Sequence, residues 1–164
     1  MNPTLTEFMQ TNPDGTLENI ATRYAVPLLA VIEALPVKTV VSSEKFDAIW
    51  DEMTGWGEVT TLVNNPDIIL ECHGPLPSGY HGHGYFNLRG KTGLSGHIKA
   101  SHCQQIAFVE RDFMGTPTAS VIFLNAAGEA MLKVFVGRDS HYQLQPEQVT
   151  AFRQLAAKVQ KGDQ

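Results

Sequence analysis

The chain has 164 residues, close to one domain of about 150, and at this size a core can hide roughly 70% of the unfolded surface without a disulfide or metal staple. Apolar residues make up 43% and charged residues 18%, a globular composition that excludes a disordered chain. Lys plus Arg number 12 against 17 Asp plus Glu, and the resulting charge of −5 argues against a general binder of nucleic acid or of anionic membranes.

The first third reads as helices. Leu5, Phe8 and Met9 recur at i, i+3, i+4 and predict a short helix, which the Asn12-Pro13-Asp14-Gly15 breaker ends. A second helix opens at Thr16 or Leu17 and runs to Tyr24. Pro27 fits the first turn of a third, over residues 28–35, closed by Pro36. Ser42 or Ser43 caps a fourth, with Phe46, Ile49, Trp50 and Met53 on one face and Gly55 and Gly57 at its end.

From Glu58 to about Val136 the pattern changes to short β-rich runs separated by Gly, Pro or Asn. They cover 60–63, 68–73, 85–89, 96–100, 104–110, 119–124 and 131–136, and residues 125–128 read as a hairpin turn. Loop-length connections make the sheet mostly antiparallel. A last helix starts near Pro146, with Val149, Phe152, Leu155, Ala156 and Val159 on one side and Lys158 and Lys161 near its C-terminal end. The expected fold is α+β: helices over about 3–54, a mostly antiparallel sheet over about 58–136 and a C-terminal helix over about 146–160, all in one domain spanning 1–164. No signal peptide is evident, and no apolar run approaches the ~20 residues that cross a bilayer. The expected place is therefore the cytoplasm, without membrane insertion.

The helix pair 16–24 and 27–35 has the cadence of a helix-turn-helix. A DNA-reading second helix would offer Arg, Lys, Asn or Gln to base edges. This one offers Glu33 and aliphatics, and residues 1–40 hold Arg23 and Lys38 against Glu7, Asp14, Glu18 and Glu33. A packed helical hairpin accounts for it better, and no nucleic-acid partner is expected.

Five histidines, His73, His81, His83, His97 and His102, lie within thirty residues, with Cys72 and Cys103 beside them and His141 apart. His81 and His83 would share a face if that stretch were extended, a corner for a metal ion. No C-x-x-C or H-E-x-x-H accompanies them, and Gly79, Gly82 and Gly84 suggest a flexible loop with solvated histidines. No catalytic triad, phosphate loop or dinucleotide fingerprint is present, so no catalytic residues are assigned.

A sharper pattern follows. In residues 84–90, alternation puts Tyr85, Asn87 and Arg89 on one strand face and Phe86 and Leu88 on the other. The guanidinium could steady a phenolate there. After a turn near Thr92 and Gly93, His97 and Lys99 share a face opposite Ile98 and Ala100. Pairing of the two strands would gather a phenol, an imidazole and cations on one sheet face. That inventory fits haem, because tyrosine and histidine both ligate its iron and Arg or Lys can pair with its propionates. It equally fits an ordinary sheet edge, with Tyr85 an exposed aromatic and His97 a surface residue. Cys72 and Cys103 read as small buried residues, with thiolate ligation a minor alternative.

Pro13-Asp14-Gly15-Thr16-Leu17, Trp56-Gly57-Glu58-Val59-Thr60-Thr61-Leu62, Gly84-Tyr85-Phe86-Asn87-Leu88-Arg89-Gly90 and Gly96-His97-Ile98-Lys99 together resemble the ChuX/HutX family. Phe113-Met114-Gly115, Gly137-Arg138-Asp139 and Glu147-Gln148-Val149 extend the likeness over about residues 4–160. The resemblance implies an intracellular haem-utilisation protein, not an enzyme. It would be a homodimeric carrier that accepts imported haem as cargo and delivers it to a haem-degrading or storage partner. It also implies one half of a HemS/ChuS-like architecture. His97 matches a histidine proposed as an iron ligand in the family, and Tyr85 matches a tyrosine that serves so elsewhere in it. A second histidine of close relatives falls at position 64, where this chain has Asn64. Tyr85 and His97 are thus the candidate iron ligands, with Arg89 and Lys99 as supporting charge. The rival readings are a homologue without the haem site that binds another tetrapyrrole or a protein partner, a haem-degrading enzyme, and a helix-turn-helix DNA binder.

Overall fold

The computed structural model describes residues 2–90 and 93–162, so Thr92 of the expected turn lies outside the described residues. Three short helices open the chain: α1 (Leu5–Gln10), α2 (Leu17–Tyr24) and α3 (Leu28–Glu33). The Thr4 hydroxyl accepts from the Glu7 amide while the Glu7 carboxylate accepts from the Thr4 N–H, a reciprocal cap for α1. Thr16 caps α2 by accepting from the Asn19 amide at 3.0 Å, and Ala25 ends it in the left-handed region. Pro27 lies one residue outside the expected first turn, as the N-cap of α3. That helix ends at Glu33 rather than at Leu35, because Pro36 disfavours a helical backbone at the residue before it.

Residues 38–42, for which the sequence pattern assigns no element, form strand β1 (Lys38–Ser42). A five-residue strand between helical segments has no periodicity of its own. It forms because its backbone pairs with β7 (Cys103–Phe113), from Lys38 opposite Val109 to Ser42 opposite Gln105. Ser42 then caps a single 3-10 turn that leads into α4 (Phe46–Met53), whose Phe46, Ile49, Trp50 and Met53 are all buried as their spacing predicts.

The remaining strands are β2 (Glu58–Asn64), β3 (Ile69–Pro75), β4 (Gly79–Gly82), β5 (Tyr85–Leu88), β6 (Gly96–Ile98), β8 (Thr116–Asn125) and β9 (Ala130–Phe135), and α5 (Pro146–Lys161) follows. Six strands form one sheet in the order β1-β7-β8-β9-β2-β3, and β4-β5-β6 form a second. Every pairing is antiparallel. Asn125 closes the β8–β9 turn, its side-chain oxygen accepting from the amides of Ala127 and Glu129.

The large sheet is covered on both faces. Ala107, Val109, Ile122 and Leu124 pack beneath α1–α3, whereas Ile106, Phe108, Val121 and Phe123 pack against α4, α5 and the small sheet. The centres of β7 and β8 are therefore continuous apolar runs, as strands buried on both faces must be. Burying Ile20, Ala21, Leu28, Val31 and Ile32 in this way makes the helical pair a packed hairpin.

Candidate functional site

The small sheet and its immediate flanks carry the candidate residues Tyr85, Arg89 and His97, and the inner face of the sheet explains how it is held. Phe86 of β5 points inward with its ring edge-on to Phe46 at 5.1 Å and to Trp50 at 5.3 Å, so the sheet is bolted to α4 by aromatic packing. Trp50 donates its indole N–H to the Pro77 carbonyl at 2.8 Å, which fixes the segment entering β4. Glycine is required at position 79, where a Cβ would come within 2.4 Å of the Phe86 ring.

The glycine-rich stretch 79–84 is therefore not the flexible loop its composition suggested. It is strand β4 followed by a tight turn in which His83 and Gly84 both have positive φ, 56° and 83°. Two such residues in sequence match the right-handed twist of a hairpin. His83 sits in the turn, so it does not share a strand face with His81. His81 lies opposite Phe86 and places Nε2 2.7 Å from Asp47 Oδ1 of α4.

The outer face brings together the residues that the alternation groups. Asn87 stands opposite Tyr80 on one side and His97 on the other, one cross-strand row through all three strands. Tyr85 packs edge-on against His97 with ring centroids 5.7 Å apart. The Lys99 ammonium lies 5.6 Å from the centre of the Tyr85 ring. Arg89 does not pair with Tyr85: its guanidinium lies 4.4 Å from the centre of the Tyr80 ring. The strand with His97 ends at Ile98, and Lys99 begins the turn that follows, still exposed, while Ile98 and Ala100 pack toward the core.

Asn87 is the buried hub of this face, 8% exposed. Its side-chain nitrogen donates to the carbonyls of Tyr80, Gly82 and Tyr85 at 3.2, 3.1 and 3.3 Å, and its oxygen lies 2.6 Å from His97 Nδ1. Tyr80 is the member of the face that the sequence reading missed. The alternation of residues 79–82 before a His83-Gly84 turn was the available hairpin signal.

The other histidines lie elsewhere. His73 of β3 hydrogen-bonds Thr60 at 2.9 Å, and His102 and His141 are exposed outside the small sheet. Among the described residues no group of three or more His, Cys, Asp or Glu side chains gathers as a metal site. Asn64 is likewise outside the cluster, in the wall of a groove of about 1200 Å³ between α2 and the β2–β3 turn.

Cys72 is half-buried rather than buried, and Cys103 is buried. Burial pushes the Cys103 thiol up to about 11, so it stays protonated at neutral pH and is no thiolate ligand. Iodoacetamide at pH 8 should leave Cys103 unmodified in the folded chain and modify it after unfolding in urea. Mass mapping of the alkylated peptides checks this, and rapid labelling of the folded protein at Cys103 would contradict it.

The fold and sequence have clear relatives. The family described as haem utilisation ChuX/HutX matches residues 39–155. The intracellular heme transport protein HutX of Vibrio cholerae is 35% identical over 128 residues, which cover 76% of this chain and 66% of that one, just under two thirds of the relative's length. A crystal structure of ChuX is 57% identical with a TM-score of 0.94, covering 97% of this chain and 99% of that one. A second ChuX structure, described as a heme-binding protein, is also 57% identical, with a TM-score of 0.90 and coverage of 94% and 98%. The heme-degrading enzyme ChuS of Escherichia coli O157:H7 shares the fold at 13% identity, with a TM-score of 0.75, over 97% of this chain and 48% of ChuS. The architecture therefore corresponds to about half of a ChuS-like protein. By motif order, family match and fold, this chain is a member of the ChuX/HutX haem-utilisation family.

Proposed function

We propose that the chain is a cytosolic haem carrier, not an enzyme, which takes haem on the outer face of the small sheet and passes it to a haem-degrading or storage partner. The observation that carries this reading is the convergence of His97, Tyr85, Arg89 and Lys99 on one rigidly backed face. Imidazole and phenol are the donors that hold haem iron, and the two cations suit its propionates. Tyr80 and Tyr85, 46% and 38% exposed, offer apolar surface to the porphyrin.

The edge-on contact of Tyr85 with His97 leaves no room for a porphyrin plane between them. One of the two meets the iron at a time, and a single protein ligand suits a carrier that must release its cargo. His97 is favoured, because among the described residues its Nε2 has no protein hydrogen-bond partner while Nδ1 is tethered.

A homodimer is part of the same reading. β3 is an edge strand, and Ile68, Ile69, Leu70 and Val63 around it are 51%, 65%, 64% and 44% exposed. Apolar side chains along a sheet edge favour association. The double-length ChuS, with its fold about half matched by this chain, supports a second copy as the partner.

Hemin titration of the purified chain, followed in the Soret region with the mass read by light scattering, tests both parts. A dimer that binds one hemin per chain, with a band that persists under oxygen and a reductant, is expected. Bleaching of the band would make the protein a haem-degrading enzyme. Binding no tighter than to an unrelated acidic protein would remove the carrier reading, and a monomer mass would remove the dimer.

A further inference from the structure

We propose that Asn87 is a positioning residue that holds His97 in the Nδ1–H tautomer and so presents Nε2, as the nitrogen with the lone pair, to the haem iron. The inference rests on the reading of His97 as an iron ligand and adds what sets its chemistry.

The argument is one of donors and acceptors. One end of the Asn87 amide faces three backbone carbonyl oxygens, those of Tyr80, Gly82 and Tyr85, at 3.1 to 3.3 Å. Carbonyl oxygens only accept, so that end must be the NH₂ group and the other end the oxygen. The reversed amide would set four oxygens against one another in a buried site. The end that remains, an acceptor, lies 2.6 Å from His97 Nδ1, and His97 must therefore donate from Nδ1. A neutral imidazole has one N–H, so Nε2 carries the lone pair.

The backbone makes the arrangement stiff. Asn87 and His97 are directly opposed in the β5–β6 ladder, and Tyr80 is directly opposed to Asn87 in the β4–β5 ladder. The three carbonyls belong to the hairpin itself, so the amide orientation is built in with the strand pairing. Hydrogen-bonded partners of this kind orient metal-bound histidines and typically tune affinity by about 10–100-fold.

Two measurements test the proposal. The first needs no variant: a long-range ¹H–¹⁵N correlation spectrum of the haem-free, ¹⁵N-histidine-labelled chain at pH 8, with His97 assigned by the signals lost in His97→Ala. A protonated Nδ1 and a pyridine-like Nε2 are expected, and the opposite pattern overturns the proposal. The second is hemin titration of the native chain, Asn87→Ala, His97→Ala and the double variant. Asn87→Ala should weaken hemin binding by about 10–100-fold in the native background and change little once His97 is absent. An equal loss in both backgrounds would make Asn87 a merely structural residue. Native-like hemin binding by His97→Ala would remove the ligand reading and the iron half of the proposal, and the spectrum would still decide the tautomer.

Discussion

Phe86→Ala should lower the free energy of unfolding by about 3–5 kcal/mol, the usual cost of deleting a fully buried phenyl ring. The ring is 3% exposed and meets Phe46, Trp50 and His81, so its removal leaves a void that α4 and the small sheet cannot both collapse to fill. Urea titration followed by the fluorescence of Trp50 and Trp56 measures the loss. A change under about 1 kcal/mol would show that the small sheet is held by something other than this aromatic cluster. The substitution should also weaken hemin binding, because Tyr85 and Asn87 flank Phe86 on the same strand and their face is only as rigid as its backing. A variant that loses stability but keeps full hemin affinity would place the haem elsewhere on the molecule.

The second large effect concerns the iron. His97→Ala should weaken hemin binding by at least about 100-fold, the upper end of what loss of a mere supporting partner costs, and shift the Soret band. Tyr85→Phe keeps the ring that packs on His97 and removes only the hydroxyl, so its loss should stay within about tenfold. The reverse order would make the phenol the iron ligand, with Lys99, not Arg89, as the cation beside it. Loss of a phenolate charge-transfer band in Tyr85→Phe would say the same by a second route. Tyr85 is exposed at the site of change, so Tyr85→Phe should disturb the urea midpoint little.

The two predictions act on opposite faces of the small sheet. β5 is four residues long, and its alternation gives it an anchor, Phe86, and an outer face, Tyr85 and Asn87, beside which His97 of β6 stands. The aromatic cluster below contributes stability that the exposed face does not, and the face can then carry imidazole, phenol and cations. Backing a site with a packed core limits its drift, which ligand geometry needs.

Much of this was legible in local patterns. Periods of 3.6 and 2 are properties of the backbone, so the buried stripe of α4 and the shared face of Tyr85, Asn87 and Arg89 could be read from spacing alone. The short connections required antiparallel neighbours, and all pairings are antiparallel. The ordered motifs pointed to the ChuX/HutX family, and the family match bears that out. Local signal was weakest where glycine and histidine dominate. Residues 79–84 read as a loop because glycine has low strand propensity, whereas the Phe86 ring demands a glycine beneath it at position 79.

Which segments are amphipathic and which residues share a strand face can be read along the chain, because those depend only on neighbours two to four positions away. The rest follows from packing. β1 exists because β7 offers it a ladder, the Cys103 thiol is held neutral because the core closes over it, and Arg89 turns to Tyr80 because β4 runs beside β5. Above all, Asn87 is buried with its amide orientation set, because three carbonyls from two strands surround it. Those partners meet only when the chain packs, and no spacing rule along the chain encodes which oxygen will face which nitrogen.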